Sequence, residues 1–492
     1  MRGELKMRFE DIREFVDFLE NRGELVRIKA LVDANLEITE ITDRVVKNGG
    51  PALLFENVIG TNIPVLTNIY GSEKRIAWAL GGDDIEHIPN RIRKLLGMVQ
   101  GGPPEGFLNK AKALMDLIKV AGSQPKIIRN APCQEVVLTG SDIDLYKFPV
   151  LKCWPMDGGP FITLPLVITR DPVSGARNVG AYRMQVFDRQ TTGMHWQTQK
   201  GGTHHERVAI QEGINKLEVA VALGGDPATL WTGTAPLPPD LDELVVAGFI
   251  REKGIDLVKC KTVDLEVPAN AEIILEGYVV PGERRIEGPF GDHTGLYSLA
   301  EDYPVFHITA ITHRLNPIYP TIIVGRPVQE DFFMGKATER IFLPIIQMVL
   351  PEVVDMNMPA EGVFHNLVIV SIKKEYPGQA SKVMYALWGM GLMMLAKAII
   401  VVDESVNVQD VSEVAWRVTN NLNADQDIIY ASGPVDDLDH SSPMPKYGSK
   451  IGIDATNKGS MDNRERDWPP DIEMSQEMKN LVNDRWAEYG IE

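Results

Sequence analysis

The alternation of apolar and polar positions divides the chain into three textures. The opening "FEDIREFVDFLENRGELVRI" (9–28) spaces its apolar residues three and four apart and then stops at a glycine. That spacing predicts a helix followed by a short strand, since a 3.6-residue period gathers such positions on one face. "HIPNRIRKLLGMV" (87–99) and "FLNKAKALMDLIKVA" (107–121) repeat the helical period, and the Gly-Gly-Pro-Pro from Gly101 reads as loop punctuation between them. From residue 130 to 325 the period changes. "QEVVLTG", "FITLPLVITRD", "LEVAVAL", "DLVKCKTVDLEVP", "AEIILEGYVV" and "VFHITAITHR" are short β-rich runs separated by turn signals, with one helix, "DLDELVVAGFIREKG", among them. A strand-rich middle of this kind predicts a barrel or sandwich.

After residue 326 helix and strand alternate. "ATERIFLPIIQMVLP" and "QASKVMYALWGMGLMML" read as helices, "HNLVIVSIKK" and "KAIIVVDE" as strands, and "VQDVSEVAWRVTNNL" as a further helix. Two strands joined by a helix predict a parallel α/β unit. The tail contains "DWPPD" and ends in an amphipathic helix, "MSQEMKNLVNDRWAEYGI".

Composition narrows the function. The 492 residues, 44% of them hydrophobic, suffice for several cores. Acidic residues outnumber basic ones by 68 to 50, a net charge of −18, which disfavours general nucleic-acid binding. Cys133, Cys153 and Cys260 form no CxxC pair, which fits a reducing cytosol and argues against a cysteine-held metal. No early apolar run suggests a leader, and "WGMGLMMLAKAIIVV" is too short and interrupted to span a bilayer, so a soluble cytoplasmic protein is expected.

Four clusters are candidates for chemistry. "RIEGPFGDHTG" (285–295) sets Glu287 and Asp292 on a loop stiffened by Pro and Gly. Two surface acids on a rigid turn and an acid–base pair are both compatible with it. "RNVGAYRMQVFD" holds Asn178 and Arg183 five apart, on opposite faces of a regular strand unless a bulge at Gly180 intervenes. An ordinary strand is one reading; the other has Asn178 as an oxygen ligand to a divalent cation and Arg183 as a bidentate carboxylate clamp. In "TGMHWQTQKGGTHHE" the ligand spacing does not suit zinc, and "QKGG" offers either a plain turn or a phosphate cradle. Acids at the start of "PPDLDELVVAGFIR" serve as helix caps, or Glu243 serves a metal. Walker, Rossmann, GxSxG and EF-hand patterns are missing.

Taken in order, "RNVGAYR", "MHWQTQKGG", "DELVVAG", "VPANAEIILEG", "EGPFGDHTG" and "KIGIDATNK" resemble the UbiD family of prenylated-flavin-dependent decarboxylases, over nearly the whole chain. The resemblance implies an N-terminal α/β region (1–120), a split β-barrel resembling flavin reductases that binds the cofactor (121–325) and a C-terminal α/β domain (326–460). A tail helix (461–492) would make an oligomer contact. It implies non-oxidative, reversible decarboxylation of an aromatic acid, hydroxybenzoate-type or a quinone precursor, through a covalent adduct with prenylated FMN. A soluble phenolic acid of the protocatechuate or vanillate type is the alternative, and an FMN-dependent reductase a further one. Arg183, Glu287 and Asp292 match the family's catalytic set. Ala181, Tyr182, Arg183, His195, Trp196, Gln197, Lys200 and Gly201 match cofactor-wrapping segments, and Asn178 and Glu243 match ligands of Mn2+ or Mg2+. Gln199 stands where several members have a metal-binding His, which leaves the third ligand open; K+ is a further candidate ion. Implied partners are a flavin prenyltransferase as cofactor supplier and copies of the chain, as a homodimer or homohexamer. Membrane association is expected only for a polyprenylated substrate. As proton donor, Asp292 needs a raised pKa, which burial and a neighbouring carboxylate would supply.

Overall fold

A computed structural model describes residues 7–97, 124–197, 200–237, 241–459, 462 and 465–491. The helix expected at 107–121 therefore lies outside the described residues, as does Gln199. The first helix, Ile12–Asn21, starts where the side chain of Asp11 accepts the N–H groups of Arg13 and Glu14, and buries Ile12, Phe15, Val16 and Leu19. Strand Leu25–Val32 follows and pairs in parallel with Ala52–Val58, which continues through Val65–Thr67 to Tyr319–Pro320 in a four-stranded sheet. That last strand comes from the end of the middle region, so the first region is closed by chain far downstream.

The middle is an antiparallel sheet whose strands run in the order Thr191–Gly193, Glu301–His313, Ile273–Glu287, Leu217–Leu223, Pro165–Arg170, Arg177–Ala181. Val136–Thr139 pairs with the far end of Glu301–His313. Strand Leu217–Leu223 explains how this sheet holds the molecule together. Its residues alternate between two cores: Val219, Val221 and Leu223 face Val32, Phe55 and Val65, while Ala220 and Ala222 join Phe15, Trp78, Trp231 and Met334. One core thus draws on the first helix, the middle sheet and helix Glu330–Val349 together.

In the C-terminal part a five-stranded sheet has the order Val353–Asn357, Leu367–Ile372, Ala398–Asp403, Tyr447–Asp454, Ile428–Pro434. Leu367–Ile372 and Ala398–Asp403 are parallel and joined through helix Gln379–Trp388, the α/β unit the sequence predicts. The expected single helix over 379–395 is broken, however. It ends at Trp388 and resumes as a 3₁₀ turn, Gly391–Leu395, because two glycines intervene and Gly391 adopts a φ of 49°. Helix Gln476–Asp484 buries no residue against the chain. No helix among the described residues is long and apolar enough to cross a membrane.

Helix Glu330–Val349 is anchored at its start by a buried acid. Glu330 accepts the backbone N–H groups of Asn68 and Tyr70 at 2.9 and 2.8 Å, and burial pushes its carboxyl up to about 7. An unfolded glutamate titrates near ~4.3. The native state thus holds this proton more tightly, and the stability it contributes, complete below the unfolded value, is lost as pH climbs through 7. Between pH 5 and 8, the wild type should therefore lose more stability than Glu330→Gln, read as the shift in urea midpoint. An equal loss in both would contradict the assignment.

Candidate active site

Arg183 follows the edge strand Arg177–Ala181 by two residues and turns into the protein rather than continuing the strand. The expected strand alternation between Asn178 and Arg183 therefore does not apply, because the strand ends between them. The Arg183 carbonyl receives the N–H of His195 at 3.2 Å, which ties the "MHW" segment to it. Its guanidinium is the hub of a buried cluster. Nε donates to Glu287 Oε1 at 2.9 Å, with Nη2 2.8 Å from the same oxygen; Nη1 donates to Asp292 Oδ2, and Nη2 donates to Ser298 Oγ at 3.1 Å. The ring of Phe290 packs against it, 4.7 Å from centroid to Cζ. His195 Nδ1 completes the cluster at 2.9 Å from the same Glu287 oxygen. Glu287 and Asp292 are 1% and 6% exposed, which excludes the reading of both as surface acids.

Glu287 is the last residue of the long strand Ile273–Glu287, and Asp292 sits in the loop that returns to Glu301–His313. The glycines of that loop serve close approach. A Cβ on Gly291 would stand 2.1 Å from Trp154 Cδ1, so only glycine lets the loop lie on the indole. Its N–H donates to Asp157 Oδ1 at 2.8 Å, and Asp157 Oδ2 accepts the N–H of Trp154, pinning loop and indole to one carboxylate.

The charge states differ from the sequence expectation. Burial pushes the Asp292 carboxyl up, but Arg183 and His293 outweigh it and hold the group well below the usual carboxylate range. The expected neighbouring carboxylate, Glu287, is neutralised by the guanidinium between them. Glu287 is likewise lowered: burial opposes it, and Arg183 and His195 prevail. In this state both acids are ionised.

A second cluster lies at the other end of the "RNVGAYR" strand. The N-terminus of helix Gly201–Gln211 has no side-chain cap, and a Cβ on Gly201 would come within 1.9 Å of Asn178 Oδ1. Tyr182 Oη lies 3.4 Å from both Asn178 Nδ2 and the Gly202 N–H. Glu243, first residue of helix Glu243–Arg251, accepts the Val179 N–H at 3.0 Å, and burial pushes its carboxyl up to about 7. Burial pushes the Lys200 ammonium down, with Asp436 opposing. Gln197 accepts Lys200 N–H and Thr203 Oγ1–H, shaping the turn into the helix, and Ala181 N–H is taken by Gly233.

A phosphate-bearing flavin and a cation fit these residues. Trp196 Nε1 and Glu287 Oε2 are buried polar atoms without a partner among the described residues, on the two clusters that would flank a ring system. The bare helix start beside Lys200 suits an anion, and the uncharged-prone Glu243 beside Asn178 suits a cation that replaces its proton. Among the described residues no three His, Cys, Asp or Glu side chains form a metal cage. His293, Ser298 and Phe290 are neighbours that the sequence reading assigns no role; the first shares the "GDHTG" motif with Asp292, which is the signal that could have found it.

Three known proteins frame this site. A protein of unknown function from Archaeoglobus fulgidus is 53% identical over 483 residues, covering 98% of this chain and 99% of its own. An evolved dimeric form of the UbiD-class enzyme HmfF from Pelotomaculum thermopropionicum, solved with prFMN, is 30% identical and superposes with a TM-score of 0.77 over 97% of this chain and 100% of that one. Vanillic acid decarboxylase of Sedimentibacter hydroxybenzoicus, in closed form, is 28% identical with a TM-score of 0.84, over 97% and 99%. The N-terminal, Rift-related and C-terminal domain models of 3-octaprenyl-4-hydroxybenzoate carboxy-lyase match residues 16–95, 126–327 and 332–455. The chain belongs to the UbiD family and is an enzyme of the carboxy-lyase class.

Proposed function

We propose that this carboxy-lyase removes CO2 reversibly and without oxidation from an aromatic, hydroxybenzoate-type acid, with prenylated FMN and a divalent cation bound between the two clusters. The observation that carries the reading is a single buried Arg183 shared by Glu287 and Asp292. When bound, the flavin supplies the acceptor for electrons that an aromatic ring cannot itself delocalise on losing CO2. Lys200 and the N–H groups at the start of helix Gly201–Gln211 would hold its phosphate. Asn178 and Glu243, with Gln199 as candidate third ligand, would hold Mn2+ or Mg2+. Ala181, Tyr182, His195, Trp196 and Gln197 would line the ring.

The chain's own residues manage the carboxylate and the proton. Every Arg183 nitrogen is engaged, and Asp292 occupies the place on Nη1 that an incoming carboxylate needs. Substrate therefore displaces Asp292 from the guanidinium. Released from that cation, buried, and now beside a second carboxylate, Asp292 gains affinity for a proton. Glu287, whose Oε1 also meets His195, keeps Arg183 aimed throughout. Ionised Asp292 is thus the resting form, and the neutral donor forms when substrate binds.

A soluble phenolic acid is the second reading, favoured by the likeness to vanillic acid decarboxylase. A division at residues 120, 325 and 460 is part of the same proposal, supported by family-model matches over 16–95, 126–327 and 332–455. Helix Gln476–Asp484, with Met478, Leu481 and Trp486 exposed about it, would meet another copy in a homodimer or homohexamer.

Protein co-produced with a flavin prenyltransferase should release a flavin of prenylated mass and liberate CO2 from one of a panel of aromatic acids. Unmodified FMN and no CO2 would favour a reductase instead. Asp292→Asn should keep its flavin while turnover falls about 10²–10⁴-fold; full activity would remove Asp292 from the reaction. Glu243→Ala should be purified without metal and with little flavin, and normal flavin absorbance and manganese content would contradict the ligand role.

A further inference from the structure

Asp292 has a second buried partner to which the chemistry above gives no task. His293 Nδ1 lies 2.7 Å from Asp292 Oδ1, and the His293 backbone N–H donates to that oxygen at 2.7 Å. The other ring nitrogen, Nε2, faces His365 Nε2 at 2.7 Å. His365 belongs to the C-terminal part, between the 3₁₀ turn Ala360–Gly362 and strand Leu367–Ile372. Val363 and Phe364 just before it hold φ values of 52° and 39°, a left-handed conformation costly for such side chains and retained here in the turn that presents the ring.

Two imidazole nitrogens this close hold one proton between them, because two N–H groups would collide and two lone pairs would repel. The charged groups around the pair favour placing that proton on His293. Asp292, backed by Arg183, faces Nδ1; Asp331, at the start of helix Glu330–Val349, and Asp436, after strand Ile428–Pro434, add negative charge, and Lys200 acts on His365. Burial opposes the His293 charge, but Asp292 lifts its ring to about 9. Burial and the His293 charge hold His365 below the usual histidine range. His365 Nδ1 is buried with no partner among the described residues, and the His293 side chain is 21% exposed, so solvent reaches the pair at His293.

We propose that the His293–His365 pair is a proton relay that reloads Asp292, His293 carrying the proton at Nδ1 and His365 fixing its tautomer by accepting Nε2–H, both acting as positioning residues for the donor. In the loading step the His293 Nδ1–H bond breaks as Asp292 Oδ1–H forms, leaving a neutral imidazole whose remaining proton sits on Nε2, toward His365. Asp292 gives its proton to the carbon that has lost CO2 and returns to carboxylate. A solvent proton taken up at His293 Nδ1, the position the loading step vacated, restores the imidazolium, while Nε2–H stays donated to His365. The balance is one carboxylate and one proton in, one CO2 and one C–H bond out. The relay is complete only while the C-terminal turn touches the middle region's loop.

This proposal rests on Asp292 as donor, so two measurements separate the claims. Flavin-free full-length protein labelled with 15N-histidine should show His293 protonated on both nitrogens near neutral pH. It should also show a scalar coupling across the Nε2–Nε2 hydrogen bond, lost in His365→Gln. Independent titration of the two rings without coupling would overturn the relay whatever the enzyme catalyses. In the prenylated-FMN-loaded enzyme, with vanillate as probe, His365→Gln should lower kcat about tenfold or more toward alkaline pH, with KM unchanged. Added imidazole should restore part of the rate in His365→Ala, a rescue that a merely structural histidine would not give. Unchanged kcat and pH profile would also overturn the relay. Absence of vanillate turnover in the wild type would count against the phenolic-acid reading, and the coupling then decides the relay.

Discussion

A buried guanidinium shared by two carboxylates is the interaction on which the rest of the site depends. The Arg183 side chain is 9% exposed, and burial alone would push it toward losing its proton; Glu287 and Asp292 keep it charged. Each carboxylate is in turn held ionised first by the guanidinium, with His195 adding to it at Glu287 and His293 at Asp292. Such a triad contributes little net stability, since desolvating three charges offsets most of their attraction, and removing the guanidinium would leave two buried carboxylates without their shared cation. Its value lies in the exchange it permits. In the proposed reaction an anionic substrate would compete with Asp292 for the cation, and the displaced acid would gain affinity for a proton, so that carboxylate recognition and proton supply would be one event.

The architecture serves that exchange by rigidity on one side and separability on the other. Arg183, His195 and Glu287 stand on or beside strands of the middle sheet, whose central strand is buried against both cores. Asp292 stands on a loop pressed against Trp154 and Asp157. His365 and Asp436 approach from the C-terminal part. The Arg183 cluster is therefore set within one region, while the partner of His293 and the charge beside Lys200 come from another.

Much of this was legible in the sequence. The 3.6-residue period of "DIREFVDFL" and the β-rich runs of the middle gave the elements, since each reflects local burial. The "EGPFGDHTG" loop announced a fixed pair of acids because Gly and Pro restrict backbone geometry wherever they occur. The ionisation of Asp292 was not legible. It is decided by Arg183, 109 positions away, and a motif read alone shows the neighbouring acid but not the cation between them. His365 was equally hidden, as one histidine in "GVFHNLV" whose partner is 72 positions earlier. The break in the 379–395 helix was missed because apolar periodicity ran through Gly389 and Gly391, where backbone freedom prevailed.

The central claim is that Arg183 keeps Asp292 ionised until a carboxylate takes its place. Carbon-13 NMR of the Asp292 side-chain carboxyl in flavin-free protein tests it most directly. The account predicts a carboxylate shift through the whole pH range in which the protein stays folded, with a titration midpoint below that of an ordinary aspartate. A protonated Asp292 near neutral pH, with no anion bound, would contradict it.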